Sequence, residues 1–420
     1  MDASTTPLNW ERVRLGDIAE IKRGASPRPI ENPKWFCTNS NVGWVRISDI
    51  SKNSRFLYKT AQKLSKKGIE KSRFIKQNSL IMSMCATIGK PIITKIDACI
   101  HDGFVVFENP KIDLNYLYYF LCYIEKEWLE SGQQGSQINL NVDLIKNKEI
   151  FYPKDLNEQI AIADILSGVD RYLYALDSLI LKKEGVKKAL SFELLSQRKR
   201  LKGFNQAWQK IRLGDIGKPC MCKRVMKHQT TPYGEIPFYK IGTFGNTADA
   251  FISKKLFLEY KAKYSFPKKG DILISASGTI GRAVIYDGKP AYFQDSNIVW
   301  IDNDETLVKN DFLFYAYSNI KWNTEHTTIL RLYNDNFRNT LIPLPPLNEQ
   351  IAIANILSAL DNEIISLKNK KRQFENIKKA LNHDLMSAEI RVLKNETPQS
   401  QGQTRFLKET PKLFNSGERS

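Results

Sequence analysis

The 420-residue sequence contains few cysteines, and their positions form no pattern. The six lie at positions 37, 85, 99, 122, 220 and 222, without a repeated spacing. This excludes a disulfide-stapled secreted scaffold, and a reducing cytoplasmic location is predicted. Cys220 and Cys222 lie near His228, but no second ligand pair follows at a spacing suitable for zinc. No metal site is therefore predicted.

Long hydrophobic runs are also missing. The longest, Tyr116 to Ile124, is far shorter than the roughly 20 apolar residues that a membrane span requires. We expect this run to form a buried helix, as we expect of its counterpart, Phe312 to Tyr317. The sequence therefore predicts no membrane partner.

Motifs for catalysis are absent as well. Amino-methyltransferases carry Asn or Asp, then Pro-Pro and an aromatic residue, whereas Pro345-Pro346 is followed by Leu347. Glu259-Tyr260-Lys261, with Asp249 upstream, is the nearest match to a metal-dependent nuclease, but the first half has no counterpart. No spaced constellation is formed by the four histidines, His101, His228, His326 and His383. We predict that the chain is not an enzyme.

What the sequence does contain is a duplication. The segment LNEQIAIADILSGVD at 156–170 recurs as LNEQIAIANILSALD at 347–361, with twelve identities at an offset of 191. Residues 10–18 resemble residues 208–216, in the same order relative to the repeat. The chain is therefore built from two copies of a unit of about 190 residues. Their scaffolds are similar, and the segments between the matching parts are dissimilar.

Each repeat begins a heptad pattern typical of a coiled-coil helix. A helix of about 40 residues would be about 60 Å long. Asn157 and Asn348 are the predicted N-caps, and Glu158 and Glu349 place negative charge in the first turn, where the helix dipole favours it. The predicted core positions are Ile162, Leu166, Val169, Leu173 and Leu176 in the first helix and Ile353, Leu357, Leu360, Ile364 and Leu367 in the second.

An exposed apolar stripe of this length needs a partner helix. The other copy in the same chain is the nearest candidate, and an antiparallel pair would relate the halves by an approximate two-fold axis. Pairing with the same helix of a second chain remains the alternative.

The predicted fold class is α+β and pseudo-two-fold symmetric. Two mixed α/β domains, at 1–153 and 203–345, are separated by a pair of long antiparallel coiled-coil helices, at 154–202 and 346–390. A polar, flexible tail is expected at 391–420.

Within the domains, β-rich runs alternate with loops rich in Gly, Asn and Lys. Gly89 and Gly281 follow such runs within a repeated Thr-Ile-Gly. They predict tight turns rather than phosphate loops, because neither copy matches GxxxxGK[ST]. The predicted strands include Trp44 to Ile47, Ser79 to Met84, Gly103 to Phe107, Asp271 to Ser275 and Asn297 to Ile301.

The formal charge of +18 favours a polyanionic partner, and both halves carry a similar basic excess. Three basic clusters recur in the same order in each half, interleaved with aromatic and amide residues. Lys and Arg neutralise phosphates, and Arg and Gln can read base edges, so we predict binding of nucleic acid. The expected contact regions contain Lys22, Arg23, Arg28, Arg46, Lys59, Lys63, Lys66, Lys67 and Gln137 in the first half and Lys223, Arg224, Lys227, Lys240, Lys254, Lys255, Lys261, Lys263 and Arg331 in the second.

Taken together, the pattern resembles the specificity subunit of type I restriction-modification enzymes. The resemblance covers nearly the whole chain: a variable domain, the Pro-x-x-Leu-x-Glu-Gln signature at Pro153 to Gln159, a long helix and a second variable domain. The signature then returns as Pro-Pro-Leu-Asn-Glu-Gln at 345–350, before the final helix. This sequence departs from the simplest pattern at Pro153-Lys154-Asp155, where a double proline is replaced.

The resemblance implies that the partner is double-stranded DNA and that each variable domain is a target recognition domain for one half of a bipartite, asymmetric DNA sequence. It implies partnership with two modification (methyltransferase) subunits, which use S-adenosylmethionine, and two restriction (translocase and nuclease) subunits, which use ATP and Mg²⁺. No cofactor is expected in this chain. A basic protein-binding coiled-coil scaffold, or the specificity subunit of a fused restriction-methylation system, remains the alternative.

Overall fold

A computed structural model describes residues 9–51, 55–131, 140–322, 331–393 and 405–406 of the chain. These residues divide into two compact units, one within Met1–Leu176 and Lys371–Ser420 and the other within Asp177–Lys370. Each unit contains one mixed α/β domain together with parts of both long helices. Most of the expected tail lies outside the described residues.

The first unit begins with a domain in which short helices alternate with strands. In chain order its elements are β1 (Trp10–Arg14), α1 (Leu15–Ile18), β2 (Glu20–Arg23), β3 (Gly43–Val45), α2 (Ile47–Ser51), β4 (Phe56–Leu57), β5 (Gln62–Lys63), α3 (Lys66–Glu70), β6 (Arg73–Ile75), β7 (Leu80–Ser83), β8 (Pro91–Thr94), β9 (Ala98–Ile100), β10 (Phe104–Glu108), α4 (Leu114–Tyr123), α5 (Glu125–Ser131), α6 (Val142–Asn147), β11 (Glu149–Pro153) and the first long helix, α7 (Leu156–Leu195).

Two sheets and a strand pair organise this domain. One sheet has the order β2-β10-β7-β8-β4, and the other has the order β5-β3-β9-β6. Strands β7 and β8 are mostly apolar, and all of their residues are buried, as expected for core strands. Strand β1 pairs with β11, with Trp10 opposite Pro153, so the chain enters and leaves the domain side by side at the start of α7.

The domain of the second unit repeats this plan with smaller sheets, of four and three strands instead of five and four. Its elements are β12 (Gln209–Arg212), α8 (Leu213–Ile216), β13 (Gly217–Met221), β14 (Ile236–Tyr239), β15 (Phe251–Ile252), α9 (Lys254–Lys263), β16 (Ile272–Ser275), β17 (Ala283–Ile285), β18 (Tyr292–Phe293), β19 (Ile298–Asn303), α10 (Asn310–Ala316), α11 (Asn334–Asn339), β20 (Leu341–Leu344) and the second long helix, α12 (Leu347–Met386). Strand β12 pairs with β20, and the two sheets have the orders β13-β19-β16-β17 and β15-β14-β18. Beyond α12, β21 (Val392–Leu393) pairs with β22 (Arg405–Phe406) in the first unit.

The predicted strands and buried helices are present, with one local error. The apolar runs expected to be buried helices form α4 and α10. The run from Trp44 to Ile47 is a strand only as far as Val45. Helix α2 begins at Ile47 because the Asp49 side chain accepts a hydrogen bond from the Arg46 amide at 2.9 Å and so closes a helical turn.

The Thr-Ile-Gly segments form the tight turns that the sequence predicts. Gly89 has φ +77° and Gly281 has φ +82°, a region that favours glycine. Each glycine lies against a tryptophan ring. A Cβ at Gly89 would meet Trp128 at 2.3 Å, and one at Gly281 would meet Trp322 at 2.1 Å. The turns therefore need glycine both for backbone conformation and for space.

Both long helices contain 40 residues, and they pair antiparallel within each unit. In the first unit, Ile162 near the start of α7 shares a hydrophobic core with Leu385 near the end of α12. In the second unit, Ile353 near the start of α12 shares a core with Leu194 near the end of α7. The mate of each helix is thus the other copy in the same chain.

The two predicted N-caps are wrong. Helix α7 begins at Leu156, and it is Asp155 whose side chain accepts a hydrogen bond from the Asn157 amide, at 2.8 Å. Helix α12 begins at Leu347, so Asn348 already lies inside it. In both cases the helix begins soon after the preceding strand, β11 or β20, has ended. The start of the helix therefore lies earlier in the chain than the sequence predicts.

Candidate DNA interface and its mounting on the helices

The start of α7 is joined to the first domain by the repeated Glu-Gln pair. The buried Glu158 carboxylate accepts hydrogen bonds from Asn9 Nδ2 at 2.8 Å and from Trp10 Nε1 at 3.2 Å. The Gln159 side chain accepts from the Asp113 amide and donates to the Pro153 carbonyl, both at 2.8 Å. The pair therefore fixes the helix entry against strand β1 and the start of α4.

The second copy repeats these contacts. Glu349 accepts from Trp208 Nε1 at 2.9 Å, and Gln350 accepts from the Lys309 amide at 2.8 Å. Gln350 also donates to the Pro345 carbonyl at 2.8 Å. Sequence reasoning assigned the glutamates to the helix dipole and missed their contact with tryptophan. The signal was present, because Trp10 and Trp208 recur at matching places in the two halves, each ahead of its glutamate.

The first domain has a surface cleft among the predicted DNA contacts. It encloses about 410 Å³ and is lined by Ile30, Glu31, Pro33, Phe36, Arg46 and Gln62. Arg46 Nη1 donates to Gln62 Oε1 at 3.1 Å, so a guanidinium and an amide lie together at its edge. Lys63 follows on β5, and Lys66 and Lys67 begin α3. Side chains that can read bases are therefore next to side chains that neutralise phosphates.

An aspartate holds a loop arginine in each domain. Arg28 Nη2 donates to Asp102 Oδ2 at 2.7 Å, and Arg224 Nε donates to Asp295 Oδ2 at 2.8 Å. The arginine side chains are 70% and 67% exposed, so their remaining N–H groups face solvent. Burial raises the pKa of Asp102, but the Ser26 hydrogen bond and the Arg28 charge outweigh it, and the pKa is lowered overall. Asp102 therefore stays ionised as an anchor for Arg28.

His101 precedes this aspartate and supports the same turn. Its Nδ1 accepts a hydrogen bond from the Gly103 amide at 2.8 Å, and its ring packs edge-on against Phe104 with centroids 4.6 Å apart. Burial lowers the pKa of His101 more than the nearby Asp102 raises it. The neutral ring is thus the form that fits this turn.

The other predicted basic residues lie in four kinds of surroundings. Lys22 is paired with Glu20 and Glu108, Lys240 with Asp249 and Lys263 with Glu259, so their charges are already matched. Arg23 donates to the Asp102 carbonyl, and Arg331 to Asn297 at 3.3 Å. Lys223 and Lys261 lie over aromatic rings. Within the described ranges no ion pair is found for the exposed Lys59, Lys63, Lys66, Lys67, Lys227, Lys254 and Lys255.

One predicted DNA contact, Gln137, lies outside the described residues. The predicted core positions of the two long helices are buried to different degrees. Buried residues are Ile162, Leu166, Leu176, Ile353, Leu357 and Ile364, and half-buried residues are Val169, Leu173, Leu360 and Leu367.

None of the described helices has the length and apolar character needed to cross a membrane.

Each mixed domain is attached to the start of a long helix, α7 or α12, through the repeated Glu-Gln pair. The two halves of the chain thus define a duplicated recognition scaffold. The family model of the type I restriction modification DNA specificity domain matches the chain twice, over residues 7–183 and 205–376. The chain belongs to this family, and the resemblance inferred from the sequence is confirmed.

Individual relatives agree with this placement. A Haemophilus influenzae protein named as a type I restriction enzyme specificity subunit is 53% identical over 193 residues, which is 44% of this chain and 50% of that relative. The match thus spans half the length of that protein. The MjaVIII type I specificity subunit of Methanocaldococcus jannaschii is 25% identical over 425 residues, covering 93% of this chain and 95% of the relative.

The fold is also similar to that of a solved structure. The crystal structure of the type I restriction-modification S subunit from M. genitalium superposes with a TM-score of 0.57 at 16% identity. It covers 92% of this chain and 98% of the other. At this identity the likeness concerns the fold alone.

Proposed function

We propose that the chain is the non-catalytic DNA-specificity subunit of a type I restriction-modification complex. Each domain reads one half of a bipartite, asymmetric target. The observation that carries this proposal is the double match to the DNA specificity domain, once over each domain with the helix that follows it. Two similar scaffolds with dissimilar loops suit the reading of two different half-sites.

The long helices have two roles in this proposal. They separate the recognition domains, and they dock two modification subunits and two restriction subunits. A 40-residue helix is about 60 Å long, which exceeds the roughly 34 Å of one duplex turn. The partner subunits supply methylation and cleavage and use S-adenosylmethionine, ATP and Mg²⁺. The complex acts in the cytoplasm, where its DNA substrate lies.

The basic surface supports DNA as the ligand. Lys63, Lys66 and Lys67 are exposed beside the Arg46–Gln62 cleft, and the described residues provide no ion pair for them. Exposed lysines of this kind release counterions when they contact phosphates.

Binding of the full chain, with its modification subunits, to duplex DNA at increasing salt tests this function. We expect the logarithm of the affinity to fall steeply and linearly with the logarithm of salt concentration. A flat response would indicate that the basic surface serves another purpose, such as a scaffold for proteins. Binding of S-adenosylmethionine by the chain alone would contradict the assignment of methylation to the partner subunits.

A further inference from the structure

In the first unit, three elements meet at one carboxylate. The Tyr119 hydroxyl on α4 donates to Asp170 Oδ2 at 2.6 Å, and Lys378 Nζ lies 2.5 Å from Asp170 Oδ1. Asp170 belongs to α7 and Lys378 to α12. The contact therefore ties the recognition domain and both long helices together in a single joint.

The second unit contains the same joint with the helix roles exchanged. The Tyr315 hydroxyl on α10 donates to Asp361 Oδ2 at 2.8 Å, and Lys187 Nζ pairs with Asp361 Oδ1. Here the aspartate comes from α12 and the lysine from α7. The duplication has thus preserved the Tyr–Asp–Lys contact as well as the helices.

Both joints are partly withdrawn from solvent. The exposed fractions are 21% for Asp170 and 29% for Lys378, against 28% for Asp361 and 29% for Lys187. Each lysine nitrogen also lies near the tyrosine ring, 5.9 Å from the centroid of Tyr119 and 5.7 Å from that of Tyr315. Burial, followed by the aspartate, raises the pKa of both tyrosines, so their hydroxyls remain protonated donors.

Lys187 and Lys378 continue the heptad patterns of α7 and α12, whose core positions are mostly apolar. A polar residue at such a position costs stability but can specify register, because other registers leave it without a partner. Seventeen residues separate Asp170 from Lys187, and the same number separates Asp361 from Lys378. Both joints therefore agree on one antiparallel register. A slip by one heptad would place Lys187 opposite Ala354 or Lys368 instead of Asp361.

We propose that the two Tyr–Asp–Lys joints lock the helix register and hold each domain on the helix pair, and so determine which gap between the two DNA half-sites is accepted. The inference rests on the proposed function and adds the residues that enforce the gap. In this role the six residues are positioning residues and do not contact the bases.

The test uses the complete complex with its modification subunits and a DNA library. The library contains both half-sites, with the gap varied by up to three base pairs in either direction. Asp170→Asn and Asp361→Asn, alone and together, are expected to reduce the preference for the natural gap about tenfold, leaving both half-site sequences unchanged. The charge exchange Lys187→Asp with Asp361→Lys is expected to restore much of the preference lost in Asp361→Lys alone.

A nearby helix-helix ion pair provides the control. Lys368 Nζ lies 2.6 Å from Glu184 Oε1, with both side chains more than 40% exposed. Replacing both with Gln should leave the gap preference as it is in the natural protein. If an aspartate variant does not fold, Tyr119→Phe with Tyr315→Phe removes the hydroxyl donors more mildly and should still broaden the accepted gaps.

The outcomes separate the register lock from the proposed function. Folded variants that keep the full gap preference would overturn the lock, as would variants that change the half-site sequences at an unchanged gap. If the natural complex methylates no two-part site, the proposed function itself is wrong.

Discussion

Arg200 and Glu349 form a two-pronged ion pair in the second unit. Arg200 Nη2 donates to Glu349 Oε2 at 2.8 Å, and Nε donates to Oε1 at 3.3 Å. The Glu349 side chain is only 1% exposed. Arg200 follows the end of α7, and Glu349 lies in the first turn of α12. The ion pair therefore links the end of α7 to the start of α12. In the first unit, Arg391 approaches Glu158 less closely, at 3.7 Å.

The first prediction concerns this difference. Arg200→Met should lower the free energy of unfolding by about 3 kcal/mol, because it leaves a buried carboxylate without its cation. Arg391→Met should cost less, since that pair is longer and has a poorer geometry. Urea denaturation of both variants provides the comparison. Equal losses would show that the geometry of the Arg200 pair adds nothing.

The second prediction concerns the glycine turns. Gly281→Ala should destabilise the protein by about 2 kcal/mol more than Gly270→Ala, because both glycines have positive φ but only Gly281 lies against Trp322. No atom lies within 4 Å of a Cβ at Gly270, which makes it a matched control for backbone strain. Thermal unfolding measures both losses. Similar values would mean that the tryptophan moves aside freely.

The third prediction is a pH dependence. The folded-state pKa of His101 lies below its usual value of 6.5, so the unfolded chain binds the proton more readily. Its contribution to stability is therefore present above the unfolded pKa and is lost as the pH falls through 6.5 toward the folded pKa. His101→Asn keeps an acceptor but cannot titrate. We expect the unfolding midpoint to drop less in this variant than in the natural protein between pH 7 and 5.5; parallel curves would contradict this.

The fourth prediction separates phosphate contacts from base reading. Replacing Lys63, Lys66 and Lys67 with Gln should weaken binding to all duplexes alike and reduce the salt slope by about three. Arg224→Lys should instead relax the sequence preference in one half-site, since lysine lacks the planar fork with which an arginine can contact a guanine edge. Lys22→Gln is the control, because Lys22 is already paired with Glu108. A triple lysine variant with unchanged salt dependence would remove this surface from the interface.

The sequence predicted the parts of the fold that depend on periodicity and repetition. Ile162 and Ile353 are buried where the heptads put them, and the glycine turns form where Thr-Ile-Gly recurs. These features follow from local spacing, and a chain carrying two copies shows them twice.

The remaining features depend on contacts between distant residues. Lys22 is a predicted DNA contact, and the sequence gives no sign of its carboxylate partner: β2 and β10 lie side by side and bring Glu108, 86 positions away, to its side chain. The Tyr119–Asp170 contact spans 51 positions and has no local signature. Pairing of this kind is decided by tertiary structure, so spacing alone cannot reveal which lysines stay unpaired or which tyrosine finds an aspartate.

We expect each domain to read its own half-site across a fixed gap. Single-molecule sequencing of methylated genomic DNA measures this, in cells carrying the natural chain and in cells where residues 203–345 come from another family member. We expect one asymmetric two-part motif with a constant gap, and an exchange that alters one part only. A continuous motif, or a change in both parts after the exchange, would show that the two domains do not read separate half-sites.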